Sequence, residues 1–127
     1  MSIGGGGRIG AALQCLTGGT ASTIPTSVGV EKLWTGLCRA VEDPNVLVGA
    51  GTRQDASDKR CGIVEGHAYA VLHAVEVEAE ASDSDTMASE SRKAPYRLLL
   101  LRNPWGHGEW TGPWSDSSSE YAVCMCM

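Results

Sequence analysis

A histidine that opens one apolar run and an asparagine that closes the next are the residues of this chain best placed to do chemistry. His67 lies in Gly66-His67-Ala68-Tyr69, and Asn103 lies in Arg102-Asn103-Pro104-Trp105-Gly106. If the two runs are neighbouring antiparallel strands, the start of the first faces the end of the second. Adjacent strands lie about 4.8 Å apart, so two side chains on one face at that level touch. A carboxamide oxygen can then accept the proton of one imidazole nitrogen, which fixes the ring and leaves the other nitrogen as a base. That is half of a cysteine-peptidase site, in which the base draws a proton from a thiol and the thiolate attacks a peptide carbonyl. On spacing alone, His67 also reads as a satisfied core residue of an apolar strand, and Asn103-Pro104 as a plain turn. His73, in the same run, takes the core reading and no role.

Both residues depend on the elements that carry them. Cys61 to Glu78 is the longest strand expected. Its odd positions, His67, Tyr69, Val71, His73, Val75 and Val77, would share one face. Its second half alternates Val with Glu, as a half-exposed strand does. Residues 79–95 are acidic and Ser-rich without periodicity, and read as a surface insertion at the hairpin tip. Tyr96 to Leu101 is the return strand. Upstream, Val30, Leu33, Trp34, Leu37 and Val41 form the stripe of an amphipathic helix. Ser27 is placed to cap it, Glu31 sits in its first turn, and Asp43-Pro44 stops it. Asn45 to Gly51 reads as a short apolar strand. Ile9 to Leu16 reads as a short helix ended by Thr17-Gly18-Gly19. The domain organisation expected is a disordered Gly-rich tail over 1–10, one folded unit over 11–120, and an unstructured tail over 121–127.

Composition excludes several classes. The 127 residues carry a formal charge of -5 and no Lys/Arg cluster, so no nucleic-acid partner is expected. No apolar run reaches the length of a membrane span, and Met1 to Gly10 has glycine where a secretory signal has its apolar stretch. Five cysteines at irregular spacings suit reduced thiols, and a cytoplasmic location is expected. Phe is absent, and three of the four tryptophans (Trp105, Trp110, Trp114) crowd the segment after Asn103, which reads as an ordered loop pinned by indole rings.

The wording of the motifs adds to this. Gly66-His67-Ala68-Tyr69, Leu101-Arg102-Asn103-Pro104-Trp105-Gly106 and Glu109-Trp110-Thr111-Gly112-Pro113-Trp114-Ser115-Asp116 closely resemble the calpain family of calcium-dependent cysteine peptidases. Leu16-Thr17-Gly18-Gly19, the Leu33-Trp34 helix and the NVLVGAG strand follow in the family's order. The resemblance covers roughly residues 10–120. It implies an α+β fold: the β-rich half-domain of a papain-like cysteine peptidase, with an antiparallel sheet and one main helix. It implies that His67 is the catalytic histidine, that Asn103 orients it, and that Trp105 covers the pair and excludes water. It also implies that Glu109 and Asp116 bind calcium, an ion that takes oxygen ligands. Read without the resemblance, Glu109 and Asp116 are ordinary solvated acids.

The sequence departs from the family pattern in three respects. The nucleophile of the family lies in an upstream Gln/Gly-rich stretch with Cys-Trp. Cys15, Cys38 and Cys61 have no such context, and Cys38 reads as a small hydrophobe beside the helix stripe. The strands that supply further calcium ligands are missing, so the calcium site would be incomplete and the chain reads as truncated. The acidic insertion separates His67 from Asn103, which a hairpin tip tolerates. The function expected is therefore a calpain-like endopeptidase fragment, inactive alone. Its partners would be a protein or peptide substrate and the missing nucleophile-bearing half-domain. The alternative is a non-catalytic calpain-like protein that binds calcium or a partner.

Overall fold

A computed structural model describes residues 8–53, 61–78 and 94–120. The described elements are helix α1 (Ile9–Thr17), a 3-10 turn (Thr26–Val28), helix α2 (Val30–Glu42), and strands β1 (Val48–Gly51), β2 (Ala68–Val77) and β3 (Tyr96–Arg102). The strands form one antiparallel sheet in the order β1-β2-β3. This is the α+β arrangement, an antiparallel sheet with one main helix, that the resemblance implies. The acidic insertion over 79–93 and the terminal segments 1–7 and 121–127 lie outside the described residues.

Helix α1 takes in Ile9 and Gly10, the last two residues of the Gly-rich segment. It ends as expected at Gly18, whose N–H donates to the Gln14 carbonyl at 2.9 Å. Helix α2 follows the expected stripe, but Ser27 does not cap it. Ser27 falls inside the 3-10 turn, and Gly29 takes the cap position at φ 102°, with no side-chain hydrogen bond. The chain must pass there through a conformation that only glycine adopts freely, so a hydroxyl two residues earlier is not in line with the helix. Leu33, Trp34, Leu37 and Val41 are half-buried, whereas Val30, the first helical residue, is 69% exposed. At the other end Asp43 is extended before Pro44, and its Oδ1 accepts the Asn45 N–H at 2.9 Å. That turn uses up Asn45 to Leu47, so β1 starts at Val48, later than expected.

Strand β2 is shorter than its apolar run. Cys61 to His67 is loop, because Gly62 and Gly66 take φ of 86° and 59° and bend the chain out of an extended path. Its alternation is also broken. Val71 pairs with Leu101, but His73, not Leu72, pairs with Leu100, so Leu72 is an extra residue in a bulge. A one-residue slip exchanges the faces of everything beyond it. His73 consequently does not share a face with Tyr69 and Val71; it is exposed, whereas those two are buried. Among the described residues the buried apolar side chains are Tyr69, Val71 and Val77.

The two helices take opposite faces of the sheet. Ile9 of α1 lies against Gly49 of β1, where an added Cβ would come within 2.7 Å of Ile9 Cγ2. Helix α2 lies on the other face and is tied to it by Arg97 of β3. The Arg97 guanidinium grips both carboxylate oxygens of Glu31, at 2.8 and 2.7 Å, and its Nε donates to Glu76 at 2.9 Å. It also sits 5.4 Å from the centre of a Trp34 ring. Glu31 was expected only to complement the start of the helix. Instead, it is the point at which the helix meets the sheet.

Candidate active site

The pairing register puts His67 at the mouth of the hairpin. Ala70 of β2 pairs with Arg102 of β3, so the residues just before β2 and just after β3 lie side by side. There His67 Nε2 and Asn103 Oδ1 are 2.8 Å apart. The turn that follows orients the carboxamide. Asn103 Nδ2 donates to the carbonyls of His107 at 2.8 Å and Gly108 at 3.3 Å, while Oδ1 also accepts the Trp105 N–H at 3.0 Å. Donors thus surround one end of the amide and acceptors the other, which leaves a single orientation. Its oxygen faces the imidazole, so Nε2 carries the hydrogen and the lone pair of the neutral ring is on Nδ1. A ring held in this way can take a proton at Nδ1 and return it.

Aromatic rings hold the imidazole on two sides. Trp105 lies over it with centroids 4.1 Å apart and planes at 46°, and Tyr69 stands edge-on at 4.9 Å and 87°. His67 and Asn103 are half-buried, and Trp105, 54% exposed, forms their roof. The structure therefore brings together His67, Asn103 and Trp105, three residues singled out in the sequence. It also shows two contributors that sequence reasoning missed. Thr52 binds both sides of the His67 peptide group, and the buried Tyr69 accepts the Val64 N–H on its hydroxyl at 3.0 Å. The signal for Thr52 lies in strand register, which places it opposite His67 once Gly51 is known to pair with Ala68.

Glu109 and Asp116 occupy a different region. Both are exposed, and with Glu120 they line an open pocket of about 550 Å³ in the Trp-rich loop. The loop is internally braced: Trp110 Nε1 donates to the Pro113 carbonyl at 2.7 Å, and the Trp114 ring packs on Tyr96 at 5.4 Å. It is tied back to the segment before His67 by the Thr111 N–H, which donates to the Cys61 carbonyl at 3.0 Å. The approach is so close that a Cβ on Gly62 would run into the Glu109 carbonyl oxygen. Carboxylates are the right kind of donor for calcium, but the ion takes about six to eight oxygens. Among the described residues no three His, Cys, Asp or Glu side chains gather as a metal-binding group. Glu109 and Asp116 line the same pocket, and two carboxylates supply part of such a shell.

Fold and pair together define the histidine-bearing half of a papain-like domain. The comparisons with known proteins narrow this further. A profile described as "Calpain family cysteine protease" matches residues 3–125. Calpain-14 of Homo sapiens is 35% identical over 117 residues, covering 92% of this chain and 15% of that protein. The calpain-type cysteine protease DEK1 of Arabidopsis thaliana is 36% identical over 130 residues, covering 94% of this chain and 5% of that protein. Calpain-5 of Caenorhabditis elegans is 33% identical over 130 residues, covering 91% and 20%. The chain belongs to the calpain family of cysteine proteases, and it spans a fifth or less of the length of these relatives. Among the described residues no helix is long and apolar enough to cross a membrane.

Proposed function

We propose that this chain supplies the histidine–asparagine half of a calcium-dependent, calpain-type cysteine endopeptidase. The observation that carries the reading is the 2.8 Å contact between His67 Nε2 and an Asn103 carboxamide whose orientation is set by its own turn. His67 is the acid/base group, Asn103 orients it, and Trp105 shields the hydrogen bond between them from water. His67 Nδ1 takes the proton of a cysteine thiol, and the thiolate attacks the carbonyl carbon of a substrate peptide bond. The proton then passes from Nδ1 to the departing amine as the C–N bond breaks and an acyl-enzyme remains. His67 next takes a proton from water, the hydroxide attacks the thioester, and the acid leaves as the cysteine is reprotonated.

The cysteine in this scheme comes from a separate nucleophile-bearing half. The His67 contacts described are with Thr52, Tyr69, Asn103 and Trp105, and the free cysteines described are Cys15, Cys38 and Cys61. Free thiols agree with a cytoplasmic setting. Calcium dependence belongs to the complete polypeptide, to which Glu109 and Asp116 contribute two carboxylates.

Peptide cleavage tests the reading. The 127-residue chain with calcium and a fluorogenic peptide should give no turnover. Mixed with a calpain half-domain that bears the nucleophile, it should give turnover that a calcium chelator stops. His67→Ala should lower that turnover by about 10²- to 10⁴-fold. Cysteine-dependent cleavage that survives His67→Ala would overturn the assignment.

A further inference from the structure

We propose that Thr52 is a positioning residue for His67, acting through a hydroxyl that stands in for a main-chain carbonyl. The proposal rests on reading His67 as the acid/base group. Strand pairing ends with Gly51 opposite Ala68, so the next opposed residues are Thr52 and His67. In a regular antiparallel ladder such a pair either exchanges two N–H···O=C bonds or none. Here one bond is regular: the Thr52 N–H donates to the His67 carbonyl at 2.9 Å. The other is not, because the His67 N–H donates to Thr52 Oγ1 at 2.9 Å. A bond that backbone could make with any residue has become specific to a hydroxyl.

That hydroxyl is used fully. It has one hydrogen, which goes to the Val64 carbonyl at 2.6 Å in preference to the His67 carbonyl at 3.2 Å. The Val64 N–H in turn donates to the Tyr69 hydroxyl, and the Tyr69 ring braces the imidazole edge-on. Thr52, Val64, Tyr69 and His67 thus form a closed circuit around the bend that carries Gly66. It ties the peptide of His67 to β1, one residue before β2 begins. His67 meets Asn103 at 2.8 Å, a distance that tolerates little displacement of the histidine backbone. Without the Thr52 hydroxyl, the His67 N–H and the Val64 carbonyl, both on half-buried residues, lose their partners.

Nuclear magnetic resonance on the 127-residue chain tests this without recourse to activity. Two signals report the ring: the shift of its carbon-bound protons under the Trp105 indole, and the Nε2–H resonance held by Asn103. Thr52→Val, equal in shape but without the hydroxyl, should move the first towards its unstacked value and lose the second to solvent exchange. Thr52→Ser should restore both. Wild-type ring signals in Thr52→Val would overturn the proposal, and so would a Thr52→Ser variant that stays as perturbed as Thr52→Val. If Thr52→Val does not fold, hydrogen exchange in the unaltered chain decides. The His67 backbone N–H should then be protected by about ten-fold or more over a free peptide, and exchange at the free rate would overturn the proposal. The peptidase reading fails by a different observation, cleavage indifferent to His67→Ala, which leaves these ring signals in place.

Discussion

The two ends of the β2–β3 pair are held by different physics. At the mouth, His67, Asn103, Thr52 and Tyr69 are linked by directional hydrogen bonds between partly buried groups. At the other end, Arg97, Glu31 and Glu76 tie α2 to the sheet by charge, beside Trp34 and open to solvent. Exposed ion pairs are screened by salt and depend on protonation, whereas part-buried hydrogen bonds depend on geometry. The chain therefore separates the group that needs exact aim from the contact that only needs to hold.

The largest expected effect breaks the comparison at the mouth. Asn103→Ala should cost on the order of 10²-fold in kcat in a reconstituted peptidase, because the ring loses its orientation. The ion-paired end should be untouched, so the indole resonance of Trp34 should stay where it is. A shift of Trp34 as large as that of His67 would mean that the two ends are not independent.

Next in size is Gly62→Ala. A Cβ at φ 86° is strained, and it would collide with the Glu109 carbonyl, so the Trp-rich loop must part from the Cys61 segment. We expect a loss of about 1–3 kcal/mol in stability, read by denaturant unfolding. A neutral result would show that the two segments are not held together in solution.

The smallest effect is the sharpest discriminator, and it uses acid. Hydrogen bonding to Arg97 holds the Glu31 carboxyl below its ordinary range. A lowered folded-state value means that Glu31 stabilises the fold fully above the unfolded carboxylate range, near pH 4.3, and that this is lost as pH falls through the lowered value. The Trp34 resonance should therefore move in that window, and molar salt should move it the same way. Trp105 stacking on His67 should persist while Trp34 is released, and the reverse order would refute the division.

Much of this was legible in the sequence, for identifiable reasons. The stripe from Leu33 to Val41 has the period of a helix, and Asp43-Pro44 marks its end, so α2 was within reach of pattern alone. The His67–Asn103 neighbourhood followed from hairpin geometry and motif order. What stayed hidden depends on a partner strand. Nothing local to Leu72 announces a bulge, and nothing local to Thr52 says which residue it will face. The early start given to β2 treated Gly62 and Gly66 as passengers in an apolar run, when each turns the chain.

The extra residue at Leu72 reaches further than the site. Counted by strict parity, Glu76 would point away from Tyr69 and Val71, and Val75 and Val77 would sit on their side. Because one residue is skipped, Glu76 instead pairs with Arg97 on the side where α2 lies. Were Leu72 instead to take a place in the ladder opposite Leu100, this acid would turn outwards and Val75 would face the guanidinium. Whether one residue is skipped or paired thus decides whether the helix meets a charge or a hydrocarbon.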